Sequence, residues 1–298
     1  MFCPATERAV RSFQRHRGLR EHGRCDEATW LALVEATWRP GDRPLRLVSP
    51  HLRGDDVAWL QQALGRLGFD CGRVDGIFGP ATARALEEFQ RNCGLEPDGV
   101  CGPATLRALQ VNGARTGSGP GVATLRELEA LSAVGSSLHQ LRVVVGQFGG
   151  LGTLARHVAK SLRQQGARVI TADELDPSLH AAAANRYEAT VYLGFEPRPD
   201  TGADIAFYAT PGFESQGGRT LASRLVEAFA TREGLPPATA RGMRLQVLRE
   251  TRMTAVVCTL GPVQRVVDAA PTISDAVVSA LTAWVACPLP QRPDPART

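Results

Sequence analysis

Metal-assisted or nucleophilic hydrolysis needs His, Cys and carboxylate side chains gathered at one place, and this chain is sparing with the first two. It carries 6 His and 7 Cys in 298 residues. The thiols Cys3, Cys25, Cys71, Cys93, Cys101, Cys258 and Cys287 are odd in number and include no CxxC pair. That pattern fits reduced cysteines better than a disulfide framework or a zinc ribbon. Cys258 sits in an apolar run at 255–260 and reads as a small core residue rather than a nucleophile. His139, His157 and His180 fall before the first strand and inside two helices of the expected pattern, away from the strand ends where an α/β domain builds its sites. They read as surface or packing residues. No Cys–His or Ser–His–Asp constellation offers another mechanism.

The elements that must position any site begin with a repeat. Phe13-Gln14-Arg15 and Gly18-Leu19 recur as Phe89-Gln90-Arg91 and Gly94-Leu95. At the same offset, Gly23, Cys25, Ala28-Thr29 and Leu33 recur as Gly99, Cys101, Ala104-Thr105 and Leu109, and Phe2, Pro4, Ala5, Thr6 and Ala9 as Phe78, Pro80, Ala81, Thr82 and Ala85. The second copy reads as three short helices. Val57, Leu60, Leu64 and Leu67 make an apolar helical stripe that stops at Gly68. A turn at Asp75-Gly76 leads to Gly79-Pro80, which opens a second helix with Pro at its first position, where the missing N–H costs nothing. A further turn at Asp98-Gly99 leads to Gly102-Pro103 and a third helix bearing Leu106 and Leu109. The first copy has no counterpart of the leading helix, so either it leans on its neighbour or translation starts further upstream.

A Gly/Ser-rich run from Asn112 to Pro120 then marks a linker. Beyond it, residues 141–145, 169–171, 190–195, 204–208, 245–248 and 255–260 read as strands, and 154–165, 179–187, 221–230 and 273–285 as helices. Alternation of apolar β runs with helices predicts a buried, mostly parallel sheet covered by helices. The expected fold is therefore α plus α/β. Its divisions are a truncated repeat at 1–40, a complete module at 50–112, a linker at 113–138, an α/β domain at 139–288 and a tail at 289–298.

The ordered pattern Val74-Asp75-Gly76-Ile77-Phe78-Gly79-Pro80-x-Thr82, then Phe89-Gln90, Gly94-Leu95, Asp98-Gly99 and Gly102-Pro103-x-Thr105, resembles the type-1 peptidoglycan-binding repeat. This resemblance implies that Asp75, Gly76, Phe78, Gly79, Thr82, Asp98, Gly99 and Thr105 form the peptidoglycan-binding turns, although turn and cap chemistry alone would place the same residues there. The order of elements after the linker resembles the zinc-dependent type-3 N-acetylmuramoyl-L-alanine amidases. So do Leu248-Arg249-Glu250-Thr251-Arg252-Met253-Thr254-Ala255-Val256 and Gly202-Ala203-Asp204-Ile205-Ala206-Phe207-Tyr208. Together the two parts resemble an actinobacterial group of amidase homologues. In that family a first His ligand follows the first strand, a Glu ligand lies in the next loop, a second His ends the third strand and a catalytic Glu ends the last. Here the matching positions hold Phe148, no acid in Leu151-Gly152-Thr153, Glu196, and Thr259.

A single potential oxygen ligand survives, so the expectation is a pseudoenzyme with no catalytic residue, no bound metal and no cofactor. The competing reading is an active zinc amidase whose ligands lie elsewhere in the chain; a third is a scaffold with protein partners only. A non-catalytic regulator of cell-wall synthesis would bind peptidoglycan or its precursor and could engage a peptidoglycan-synthesis enzyme. A net charge of +4, with acidic and basic residues interleaved, argues against nucleic acid. Residues 1–8 lack a basic-then-apolar leader and no later stretch reaches the roughly 18 apolar residues of a membrane span. The expected location is the cytoplasm.

Overall fold

The computed structural model describes residues 2–113 and 120–289. Most of the expected linker run (114–119) and all but the first residue of the expected tail lie outside the described residues. The chain divides into two compact units, Met1–Arg126 with Thr210–Phe213, and Glu127–Ala209 with Glu214–Thr298.

The first unit contains α1 (Pro4–His16), α2 (Glu27–Thr37), α3 (Asp55–Arg66), α4 (Pro80–Asn92) and α5 (Pro103–Gly113). The expected three helices of the second copy are α3, α4 and α5. Proline opens α1, α4 and α5, while α2 is capped by the Asp26 carboxylate, which accepts from Thr29 N. At the end of α3, Gly68 takes φ +95, and the amide of Phe69 closes back on Leu64 O at 3.0 Å. Only glycine adopts that left-handed conformation without strain, which is why the stripe stops there. Val57, Leu60 and Leu64 of α3 meet Leu86 and Phe89 of α4 and Leu109 of α5 in one core that also holds Phe78. Each such side chain contributes about 1.5–3 kcal/mol on burial.

The second unit begins within α6 (Val122–Ser132), a helix lying in the stretch expected as linker. It continues through β1 (Arg142–Gln147), α7 (Gly152–Gln164), β2 (Arg168–Ala172), α8 (Pro177–Arg186), β3 (Val191–Pro197), β4 (Gly202–Thr210), β5 (Phe213–Glu214), α9 (Gln216–Ala230), β6 (Ala238–Met243), α10 (Gln246–Glu250), β7 (Thr254–Gly261), α11 (Val263–Asp268) and α12 (Ala270–Ala286). The sheet order is β2-β1-β3-β7-β4-β5, with β6 also paired to β4. β1, β2, β3 and β7 run parallel, and β4 runs antiparallel to β7. The mostly parallel sheet is thus present, with helices on both faces. Alternation sends Val143, Val145, Leu193, Phe195, Val256, Cys258 and Leu260 into one core with α7, α9 and α12, which contribute Leu154, Leu225 and Trp284. Val144, Tyr192 and Val257 take the other face, where α8 lies against β3. The Glu127 carboxylate accepts from Ser215 Oγ at 2.6 Å and Gln216 N at 3.0 Å, which ties α6 to the first turn of α9.

Two expectations change. The strand expected at 245–248 is instead the helical turn α10, in which Val247, Leu248 and Arg249 are buried in succession rather than alternately. A four-residue apolar run has no period long enough to separate the two. The second change is the unforeseen β6, which pairs in parallel with β4 and whose Ala-Thr-Ala-Arg-Gly-Met sequence is largely exposed at the sheet margin and lacks a Val/Ile run.

Candidate functional site

Parallel strands β1, β3 and β7 are neighbours, so their C-terminal ends bring the three expected positions to one edge of the sheet. Phe148 follows β1 and donates its amide to Phe195 O at 2.9 Å. Glu196 and Thr259 are register partners on β3 and β7, and the Thr259 hydroxyl donates to Glu196 Oε2 at 3.3 Å. All three are part-exposed. The turn out of β1 uses Gly149 and Gly150 at positive φ and enters α7 at Gly152, with no acid along the way. Donors at the edge are therefore one carboxylate, one neutral hydroxyl and one hydrocarbon ring. Among the described residues, no group of three or more His, Cys, Asp or Glu is placed to hold a metal. This set does not fit the His/carboxylate coordination a catalytic zinc requires.

The ring of Phe148 is engaged from below. It stacks on His180 with centroids 4.4 Å apart and planes 18° from parallel. This corrects the expectation that His180 lies away from the strand ends: α8 folds back over β1 and β3 and delivers it directly under Phe148. His180 is fully buried, as a packing residue should be. Its Nε2 lies 2.7 Å from Glu174 O, and because a carbonyl only accepts, that nitrogen carries the proton. Nδ1 then accepts from the Tyr192 hydroxyl at 2.7 Å. Burial pushes the His180 pKa down and the Tyr192 pKa up, so both stay neutral. Space for the pair comes from Gly146 and Gly194: a Cβ on Gly146 would lie 2.5 Å from both His180 Nδ1 and the Tyr192 oxygen. Small residues at matching positions of adjacent strands were the available sequence signal. Cys258 is buried and its thiol is pushed up to about 12 by desolvation, which leaves it inert.

The repeat turns are organised by a glutamine clamp that recurs three times. In the first, Gln14 Nε2 donates to Thr29 Oγ1 and Arg24 O, both at 2.9 Å, while Gln14 Oε1 accepts from Gly23 N at 2.9 Å. In the second, Gln61 Nε2 donates to Asp75 Oδ1 at 2.8 Å, Ile77 O at 3.1 Å and Thr82 Oγ1 at 3.2 Å, and its Oε1 accepts from Asp75 N and Gly76 N. In the third, Gln90 Nε2 donates to Asp98 Oδ1 at 2.7 Å, Val100 O at 3.0 Å and Thr105 Oγ1 at 3.2 Å, and Gly99 N donates to its Oε1. Helix α4 serves both of the last two, giving Thr82 to one and Gln90 to the other. The glutamines were visible within the repeat, but their role was not, since the partners lie 8 to 21 residues away.

Of the residues expected at the binding turns, Phe78, Thr82 and Thr105 have buried side chains, and Gly76 and Gly99 are buried in the turns themselves. Asp75 is part-exposed and Asp98 exposed, with the Asp98 carboxyl held below its ordinary range by hydrogen bonds from Val100 N and Gln90. Gly79 is part-exposed, and a Cβ there would meet nothing.

Residues 1–33 and 53–109 match the family model described as "Putative peptidoglycan binding domain". The chain is 32% identical over 292 residues to the N-acetylmuramoyl-L-alanine amidase CwlM of Mycobacterium tuberculosis, a match spanning 88% of this chain and 72% of that protein. Among solved structures, the catalytic domain of the amidase CwlV from Bacillus (Paenibacillus) polymyxa aligns with 16% identity and a TM-score of 0.41, over 49% of this chain and 98% of that one. The amidase AmiC2 of Nostoc punctiforme aligns with 17% identity and a TM-score of 0.37, over 51% and 99%.

Proposed function

The chain belongs to the family of the N-acetylmuramoyl-L-alanine amidase CwlM, and from that premise we propose that it binds peptidoglycan or its precursor through the helical repeats. Its α/β domain, on this reading, is a non-catalytic surface in the control of cell-wall synthesis. The observation that carries the proposal is the edge of the sheet, where Phe148, Glu196 and Thr259, the residues that the sequence resemblance matches to ligand and base positions, lie together. A hydrolytic zinc needs three protein ligands, an open position for water and a base beside it. Phe148 has no lone pair to offer and its ring is committed to His180.

Support for the binding half comes from the family match and from the turns at Asp75, Gly76, Phe78, Gly79 and Thr82 and at Asp98, Gly99 and Thr105. With Phe78, Thr82 and Thr105 turned inward, their part is to fix the turn backbone, and contact with a glycan-peptide falls to the exposed rim around Asp98 and Gly79. A peptidoglycan-synthesis enzyme in the cytoplasm is the partner class this role implies. No helix among the described residues is long and apolar enough to cross a membrane.

The test uses the full chain. Metal analysis should find well below one zinc per chain, muramyl peptides should release no stem peptide, and the protein should co-sediment with purified peptidoglycan. About one tightly held zinc together with stem-peptide release would establish an active amidase instead. Protein remaining in the supernatant would remove the binding half.

A further inference from the structure

Along β7 the side chains alternate, so Thr259 faces the His180 side of the sheet while Leu260 joins the opposite core. At that end of the strand the core does not close. A cavity of about 250 Å³ remains, walled by Phe229 of α9, Leu260, Val266 of α11, Ile273 of α12 and the connecting Leu235, with Arg265 at its mouth. Its lining includes Gly202 of β4 and its register partner Gly261 of β7.

Charge at this mouth is one-sided. No Asp or Glu lines the cavity. Arg265 is exposed, and among the described residues its guanidinium has no ion-pair or hydrogen-bond partner. Arg198, on the loop before β4, is by contrast held by Asp200 at 2.5 Å and Asp204 at 2.7 Å. Ala269, the residue joining α11 to α12, also lines the cavity and adds no charge to it. An apolar hollow with an unpaired cation at its rim suits a ligand that is greasy at one end and anionic at the other.

We propose that this cavity binds a small anionic amphiphile, an apolar chain whose terminal carboxylate meets Arg265. Scaled from the 150 Å³ apolar cavity that accepts one benzene, the space admits up to about ten carbons. The site is separate from the repeat turns and from the sheet edge at Phe148, so it stands or falls independently of the function proposed above.

Octanoate, octanol and octylamine are the probes, titrated into the full chain by calorimetry and by shifts of methyl resonances. Octanoate should bind saturably and more tightly than octanol, and octylamine least. Arg265→Glu changes an exposed side chain and should weaken octanoate about tenfold or more, as loss of a charged hydrogen bond does, while favouring octylamine. Ala269→Phe should fill the hollow and weaken all three. Absence of saturable octanoate binding, equal binding of octanol, or binding indifferent to both substitutions would each overturn the proposal. Arg265-dependent pelleting with phosphatidylglycerol vesicles would assign the anion to a membrane lipid and overturn it as a site for a free acid.

Discussion

The repeat turns and the sheet edge both gather polar and aromatic side chains where the chain reverses, yet they are held by opposite means. In the turns, each buried glutamine amide is matched by backbone and hydroxyl partners. At the sheet edge, the ring of Phe148 is stacked on a neutral imidazole. A hydrogen-bonded clamp is specific and fails when one partner is lost; a stacked cluster is set by volume and fails when a neighbour grows. The difference implies that the turns depend on exact hydrogen-bond geometry, and the cluster beneath Phe148 on volume.

The sharpest way to break that contrast is to remove a clamp. Gln61→Leu preserves approximate volume but strands Asp75 N, Gly76 N and Thr82 Oγ1, of which the last belongs to a residue only 1% exposed. Unsatisfied buried groups cost about 1–3 kcal/mol each, and partial access of water to Asp75 lowers the total, so a loss of about 3 kcal/mol is expected. Urea unfolding of the full chain followed by Trp emission reads it, because Trp30, Trp38 and Trp59 lie in the first unit and only Trp284 in the second. A change below about 0.5 kcal/mol, the range of ordinary surface substitutions, would show that the clamps are decorative.

A smaller effect is expected at the sheet edge, and it is steric. Gly146→Ala places a methyl 2.5 Å from His180 Nδ1 and the Tyr192 oxygen, so the pair must separate or α8 must shift. Overpacking of this kind costs about 1–3 kcal/mol. Gly79→Ala, where a Cβ meets nothing within 4 Å, is the steric control in the repeats and should cost at most about 1 kcal/mol, for the poorer N-cap it gives α4. Thermal unfolding of both variants decides it. Equal tolerance of the two would mean that His180 and Tyr192 are not packed as described.

What the sequence disclosed follows the same division. The repeats were legible because Gly-Pro and Asp-Gly chemistry is local, and Gly68, Gly79-Pro80 and Gly102-Pro103 mark helix ends within a few residues of themselves. The α/β alternation was legible for the Val/Ile-rich central strands and failed at the margin, where β6 is polar and the run at 245–248 is too short to show a period. Phe148, Glu196 and Thr259 were marked out by the resemblance to the amidase motifs, and they meet at one edge because the parallel strands β1, β3 and β7 end together. His180 could not be placed there, since nothing within 179–187 records that the helix folds onto β1 and β3; that information is held by Gly146 and Gly194, which make the room.

The smallest effect lies inside the repeat itself, where the first clamp substitutes histidine for aspartate. His22 occupies the position of Asp98, and its Nδ1 faces Gln14 Nε2 at 3.4 Å and Arg24 N at 3.1 Å, as Asp98 Oδ1 faces Gln90 Nε2 at 2.7 Å and Val100 N at 2.9 Å. An imidazole thus plays the acceptor role of a carboxylate, with longer bonds. Its other nitrogen lies 2.9 Å from Asp26 Oδ2, the residue that also caps α2. His22→Asp would restore a charged acceptor, worth more per bond, but would set a second carboxylate beside Asp26 and forfeit the Nε2 contact. Those terms oppose each other, and the net change should lie within about 0.5 kcal/mol. His22→Asn keeps the acceptor oxygen without the repulsion and should stabilise by about 0.5 kcal/mol, whereas His22→Leu, lacking any acceptor, should cost about 1 kcal/mol. The order Asn above His and Asp, with Leu last, read from urea midpoints at constant slope, is what a clamp requires. If Leu matches His, the imidazole adds nothing to the first clamp, which then rests on the bonds of Gln14 to Thr29, Arg24 and Gly23 alone.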